Sequence, residues 1–150
     1  MKIGFKLLRS NAKLPSYGDD DSSNMGIDLY ACLNNIIVLE AGQYCTISTG
    51  VAWEPLDVCP GCRGGLIIKS RSSMGVKNSI ECSNAGVIDD KYRGEIFIKL
   101  YNNSNSHYVI SNGDRIAQAV ALETPRYEIV ELEYLTETTR GINGLGSTGK

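Results

Sequence analysis

Apolar residues recur along this chain in short runs, each bounded by Gly, Asn, Asp or Pro: "NIIVLEAGQYCTIS", "VAWEPL", "GLIIKS", "EIFIKLYN", "YVISNG", "RIAQAVALE" and "RYEIVELEYL". Such lengths, rich in β-branched and aromatic residues and separated by turn formers, predict many short strands, hence a sandwich, jelly roll or barrel. Helix is nearly absent. The one helical candidate is "SSMGVKN", opened by a serine able to act as an N-cap. Two stretches lack a core pattern. Residues 10–24, "SNAKLPSYGDDDSSN", read as a loop whose aspartates Asp19, Asp20 and Asp21 form a solvated charge run. Residues 136–150, "TETTRGINGLGSTGK", carry four glycines with Ser and Thr and cannot bury enough apolar surface to order themselves. They are either a loose end or an arm that orders on a ligand.

Composition narrows the partners. At 150 residues the chain is the size of one domain, able to bury a core without staples. Fifteen basic and seventeen acidic residues are interspersed, with a net charge of -2, so no basic face points to a polynucleotide. The N-terminus has no signal-peptide pattern and no run suits a membrane span, which leads to an intracellular protein, cytoplasmic or nuclear. Five cysteines, an odd number and mostly scattered, argue for reduced thiols over a disulfide framework. Cys59 and Cys62 in "CPGC" give half the spacing of a zinc site, but Cys82 is alone and His107 is the sole histidine.

Five segments place small and polar residues beside apolar runs: "GIDLYA" (26–31), "KSRSSMG" (69–75), "GVIDDKYRG" (86–94), "NGDRIAQ" (112–118) and "RGINGLGSTG" (140–149). Singly each has a bland reading: Asp28 capping a turn, Arg71 a surface cation, "NGD" a turn, the glycines a loose end. Together they supply backbone N–H groups, the hydroxyls of Ser72, Ser73, Ser147 and Thr148, and the guanidiniums of Arg71 and Arg140. Those are the groups a polyphosphate requires. Asp28 and Asp89 add hard oxygen suited to Mg2+ or a water. The chemistry points to a nucleoside triphosphate.

In this order, the five segments resemble the five motifs of the homotrimeric dUTPase (dUTP diphosphatase) family, from about Met25 to Gly149. The resemblance implies an all-β, dUTPase-like jelly roll (β-clip), residues 1–137, and a flexible arm, residues 138–150, that closes over a neighbouring subunit's active site in a homotrimer. It implies hydrolysis of dUTP to dUMP and pyrophosphate with Mg2+, which limits uracil in DNA and supplies dUMP for dTMP synthesis. Asp89 matches the catalytic aspartate that activates the water attacking the α-phosphorus. Tyr92 matches the tyrosine packed on the deoxyribose where a ribose would carry its 2′-hydroxyl, and Asp90 is a turn residue. The stretch "ECSNAGVID" is expected to form a hairpin reading uracil through Asn84 and the backbone of Gly86, Val87 and Ile88. Arg71, Ser72, Ser73 and Gln118 correspond to phosphate-site residues, and Asp28 to the aspartate that meets a phosphate-held Mg2+ through water. Arg140, Gly146, Ser147 and Thr148 correspond to the arm.

The chain departs from the family pattern in places. The turn before Ser72 is lengthened, with Ser70 where proline is common. The arm reads "GLG", with Leu145 where an aromatic usually stacks on uracil. Two other readings compete. A dCTP deaminase of the same fold would need a glutamate in the hairpin region, and Glu95 falls too late. A nucleotide-binding trimer without catalysis would be free to lose Asp89 and Arg140, and both are present. Base stacking on an aromatic is worth about 1–3 kcal/mol, so Leu145→Phe is expected to lower the KM for dUTP several-fold; an unchanged or higher KM would refute that role for the arm position.

Overall fold

The computed structural model describes residues 1–18, 23–84 and 86–142. Among the described residues twelve strands run in the order β1 (Lys2–Leu7), β2 (Ser16–Tyr17), β3 (Ile27–Tyr30), β4 (Ile37–Leu39), β5 (Tyr44–Ser48), β6 (Val51–Asp57), β7 (Cys62–Lys69), β8 (Ile80–Cys82), β9 (Val87–Asp89), β10 (Phe97–Asn102), β11 (Tyr108–Ile110) and β12 (Arg115–Pro125). They form four small sheets: β1–β6, β4–β11, β5–β10–β8, and a five-stranded sheet ordered β2–β3–β12–β7–β9. Every ladder among the described residues is antiparallel, as expected where strands bury one face and expose the other.

Alternation drives the packing. In β7, Leu66 and Ile68 point inward while Arg63, Ile67 and Lys69 face out; in β10, Ile98, Leu100 and Asn102 are buried. These join Leu29, Ile47, Trp53, Ile80, Ile96, Ile110 and Ile116 in one continuous core. Asn102 is the polar member. Its amide nitrogen donates to the carbonyls of Leu39 (2.8 Å) and Ser106 (2.7 Å), and its oxygen accepts from the Ser104 N–H (3.0 Å) and Oγ (2.7 Å), so its burial leaves nothing unpaired.

The helical segment is a single π turn, Ser73–Lys77, on which Met74 is buried. Ser72 precedes it with helical dihedrals and makes no side-chain cap, contrary to the sequence expectation; its hydroxyl is left on the surface. "KIGFKL", which is not among the runs predicted as strands, forms β1 by pairing with β6 along its whole length. The stretch 81–89 is not a simple hairpin: β8 pairs with β10 and β9 with β7, so the loop between them crosses from one sheet to another. "RYEIVELEYL" forms no strand. Its side chains alternate, but it has no ladder partner among the described residues, and Ile129 and Leu135 stand 95% and 83% exposed.

Gly86 shows why the residue before β9 is glycine. Its carbonyl accepts from the Ile68 N–H at 2.7 Å, and a Cβ would lie 2.8 Å from the Ile68 oxygen, closer than real Cβ contacts come. The neighbour is backbone and cannot swing aside. Gly86→Ala is therefore expected to destabilise the protein by about 1–3 kcal/mol, read as a lower urea midpoint; an unchanged midpoint would mean that β9 docks more loosely than this contact requires.

Candidate active site

Asp28 lies on β3, 6% exposed, directly opposite Gln118 of β12. Its Oδ1 accepts from Arg71 Nε at 2.9 Å and its Oδ2 from Arg115 Nη1 at 3.3 Å. One carboxylate thus holds two guanidiniums, and the group keeps one positive charge in excess. Arg71 also reaches Ser73 Oγ (3.4 Å) and the Arg115 carbonyl (3.5 Å). Gln118 donates to the Ser70 carbonyl at 3.2 Å, and its amide fills the place where a side chain on Gly26 would be. Together with Gly18, Asn24, Ser72 and Val120 these residues line an open, polar cleft of about 600 Å³. Arg115 is a residue that the sequence reading passed over. It stands inside "NGDRIAQ", and only the fold shows that its side chain turns back onto Asp28.

Asp89 is elsewhere. It ends β9, exposed, opposite Gly65 of β7, and Gly65 in turn pairs with Leu122 of β12. Directly opposed residues share a face, so Asp28, Gln118, Leu122 and Asp89 all lie on the outer face of the five-stranded sheet. They occupy opposite corners. Three strand spacings and four residues of register separate Asp28 from Asp89, about 20 Å overall at ordinary strand dimensions. Asp89 lines a second cleft, about 530 Å³, with Arg63, Ile67, Val87, Lys91 and Arg126. Between the corners lies an apolar diagonal of Val120, Leu122, Ile67 and Val87, the last 71% exposed.

The turn after Asp89 is built tightly. The Tyr92 N–H donates to the Asp89 carbonyl (3.1 Å), which places Asp90 within the turn as expected. The Tyr92 hydroxyl donates to the Glu95 carbonyl at 2.9 Å and lies so close to Gly94 that a Cβ there would sit 2.5 Å from it. Tyr92 remains 43% exposed. Asn84 is exposed in the loop before β9, Gly86 is buried, and Ile88 is half-buried. Arg140 is exposed within a turn closed by the Gly141 N–H on the Thr138 carbonyl (3.0 Å). Leu145, Gly146, Ser147 and Thr148 lie outside the described residues, as does the aspartate run 19–21.

With that geometry in view, similarity to known proteins is decisive. The dUTPase family model matches residues 11–149. The chain belongs to the dUTPase family. Its relatives include the deoxyuridine 5'-triphosphate nucleotidohydrolase of Anaplasma marginale, 43% identical over 91% of this chain and 88% of that protein, and that of Nautilia profundicola, 37% identical over the full length of both. A Staphylococcus bacteriophage 80alpha dUTPase solved with dUpNHpp superposes with a TM-score of 0.82 at 25% identity, covering 99% of each chain. The dUTPase of phage phi11, solved to show coordination of a structural Mg(II) ion, has the same fold at a TM-score of 0.74 and 23% identity, covering 91% of this chain. The all-β architecture is thus the dUTPase fold.

The "CPGC" turn lies beyond the Asp89 end of the sheet. Cys59 and Cys62 close it through a 2.9 Å backbone hydrogen bond, with Pro60 leading and Gly61 at φ 82°, the requirement of a type II turn. All five cysteines are free. Burial raises the thiol pKa of Cys82 and of Cys45. Cys59 is raised for another reason: the Glu123 carboxylate accepts a hydrogen bond from its thiol and adds negative charge beside it. Glu123 is correspondingly held below the usual carboxylate range, first by the Cys59 backbone N–H. A raised pKa means less thiolate at a given pH. Glu123→Gln in a Cys62→Ser background is therefore expected to speed alkylation of Cys59 at pH 7.5 several-fold, with the midpoint of the rate–pH curve moving down; an unmoved midpoint would show that the carboxylate does not govern this thiol.

Proposed function

We propose that this protein is a dUTP diphosphatase, hydrolysing dUTP to dUMP and pyrophosphate in sites assembled between three copies of the chain. The observation that carries the reading is the placement of the two halves of the chemistry at opposite corners of one sheet. About 20 Å is too far for the Arg71 cleft and Asp89 to act on one triphosphate within a single subunit. A second copy seated on the apolar diagonal between them brings the Asp89 corner of one subunit to the Arg71 corner of another. The exposed alternating segment 126–135 supports the same assembly, because a segment with a strand's pattern and no ladder of its own is suited to a neighbour's sheet edge.

In such a site the cationic cleft takes the phosphates. Arg71, held in orientation by Asp28, Ser72 and Ser73 at the head of the π turn, and Gln118 bind phosphate oxygens, while Arg140, Leu145, Gly146, Ser147 and Thr148 close over them from the arm, residues 138–150. Uracil is read by Asn84 and the backbone of Gly86, Val87 and Ile88, and Tyr92 packs where a ribose 2′-hydroxyl would project. Asp89 orients and deprotonates the water that attacks the α-phosphorus in line, and pyrophosphate leaves.

Mg2+ fits this arrangement as a phosphate-borne ion. Both Asp28 oxygens are engaged by guanidiniums, so Asp28 suits a water of the hydrated ion more than the ion itself. Bound there, Mg2+ would neutralise developing charge on the phosphates. Free thiols suit a reducing, intracellular compartment, cytoplasmic or nuclear, where dUTP removal limits uracil in DNA and dUMP feeds dTMP synthesis. No helix among the described residues is long and apolar enough to cross a membrane.

Pyrophosphate release with Mg2+ is expected to be about 10²-fold or more faster from dUTP than from dTTP, dCTP or UTP, and Asp89→Asn should lower kcat by about 10²–10⁴ while nucleotide still binds. Co-assembling Asp89→Asn with Arg71→Ala subunits is expected to restore activity that neither variant has alone, since mixed oligomers contain sites with both groups intact. Two dead variants that stay dead when properly co-assembled would place the whole site in one subunit and overturn the shared-site reading.

A further inference from the structure

Glu95 is absorbed by none of the roles above, yet it is among the most heavily engaged carboxylates described. Its side chain is 12% exposed. Oε1 accepts from the Gly50 N–H at 2.8 Å and from Ser48 Oγ, and Oε2 accepts from Arg9 Nη2 at 2.9 Å. Arg9 Nη1 donates to Ser48 Oγ at 2.5 Å, closing the cluster. The next residue is fixed as firmly: the Ile96 N–H donates to the Val51 carbonyl (2.9 Å), and the Ile96 carbonyl accepts from Thr49 Oγ1 (2.6 Å). Three parts of the chain remote in sequence, residues 9, 48–51 and 95–96, thus hold one point of backbone.

That point is where Tyr92 is hooked. Its hydroxyl donates to the Glu95 carbonyl, and the missing side chain of Gly94 makes room for the phenol. We propose that the Arg9–Ser48–Glu95 cluster is a positioning device for Tyr92 and sets how strongly the site prefers a 2′-deoxyribonucleotide to a ribonucleotide. The inference rests on the sugar-packing role of Tyr92. Rejecting a substrate that merely adds a hydroxyl by packing alone is worth only about 10²-fold, so it depends on the ring staying where the hydroxyl would be. A phenol anchored to a carbonyl that is itself locked cannot retreat; one anchored to a loose loop can. Glu95 and Arg9 act through Tyr92 and are positioning residues.

The readout is the ratio of kcat/KM for dUTP over UTP, with the ratio for dUTP over dCTP as the control that reports base reading. Arg9→Met, which removes an exposed arm of the cluster, and Glu95→Ala are each expected to lower the sugar ratio three- to tenfold and leave the base ratio in place. Arg9→Lys should keep most of it. In the Glu95→Ala background, Tyr92→Phe should lower the sugar ratio no further, because both changes release the same hook. If Arg9→Met and Glu95→Gln both leave the sugar ratio unchanged while Tyr92→Ala collapses it, the positioning role is wrong and the sugar role of Tyr92 stands. If Tyr92→Ala itself leaves the ratio unchanged, the sugar role falls and the inference falls with it.

Discussion

Strand β12 is hydrogen-bonded on both edges, to β3 and to β7, and this double pairing fixes where everything else in the site can be. Its register holds Gln118 opposite Asp28 at one end and carries β7, with β9 beyond it, at the other. A sheet pinned on both sides does not flex by many ångströms, so the spacing between the Arg71 cleft and Asp89 is a property of the backbone and not of side-chain rotamers. Within one copy the two corners are good at different things and unable to meet. The apolar strip joining them, Val120, Leu122, Ile67 and Val87, is the surface a soluble monomer would be expected to avoid.

The cationic corner illustrates how a buried charge becomes useful. Removing a lone carboxylate from water costs several kcal/mol, and one guanidinium in good geometry does little more than offset it. Asp28 has two. The second, Arg115, turns a neutral pair into a cluster with surplus positive charge, mounted on rigid strands and facing a cleft. The carboxylate holds both arginines in place without cancelling them, so their remaining donors are oriented before an anion arrives. A polyphosphate entering that cleft meets donors whose ordering entropy has already been met by folding.

Much of this was legible in the residues. Most of the short strands follow from runs such as "GLIIKS" and "EIFIKLYN", because a half-buried strand needs only local alternation to be recognised, and the ordered motifs place Asp28, Arg71, Gln118 and Asp89 near sheet ends. What stayed hidden depends on pairing over long distances. The lysines of "KIGFKL" conceal β1 until β6 is beside it. "RYEIVELEYL" has the pattern of a strand, and pattern alone cannot say that it finds no ladder partner among the described residues of its own chain. Glu95 and Arg115 look like ordinary surface charges in sequence; their partners are 86 and 87 residues away. The two glycines of "GVIDDKYRG" were visible as punctuation, but their causes differ: Gly86 yields to the backbone of Ile68, and Gly94 to the phenol of Tyr92.

Assembling a site from separate copies has a thermodynamic consequence. Were the site shared as proposed, catalysis would be linked to association, and anything that binds across the shared cleft would also stabilise the assembled state by mass action. Substrate and subunit contacts would then reinforce one another in the proposed assembly, and the exposed apolar side chains of 127–142 are ones that a partner's surface would cover. The same logic explains why the catalytic turn is braced so heavily from inside its own subunit. A group that had to meet its substrate across an interface could not rely on the neighbour to hold it straight; here the Tyr92 hydroxyl is held by the Glu95 carbonyl, which residues 9, 48–51 and 95–96 of the same chain fix, and the Tyr92 N–H in turn holds the Asp89 carbonyl.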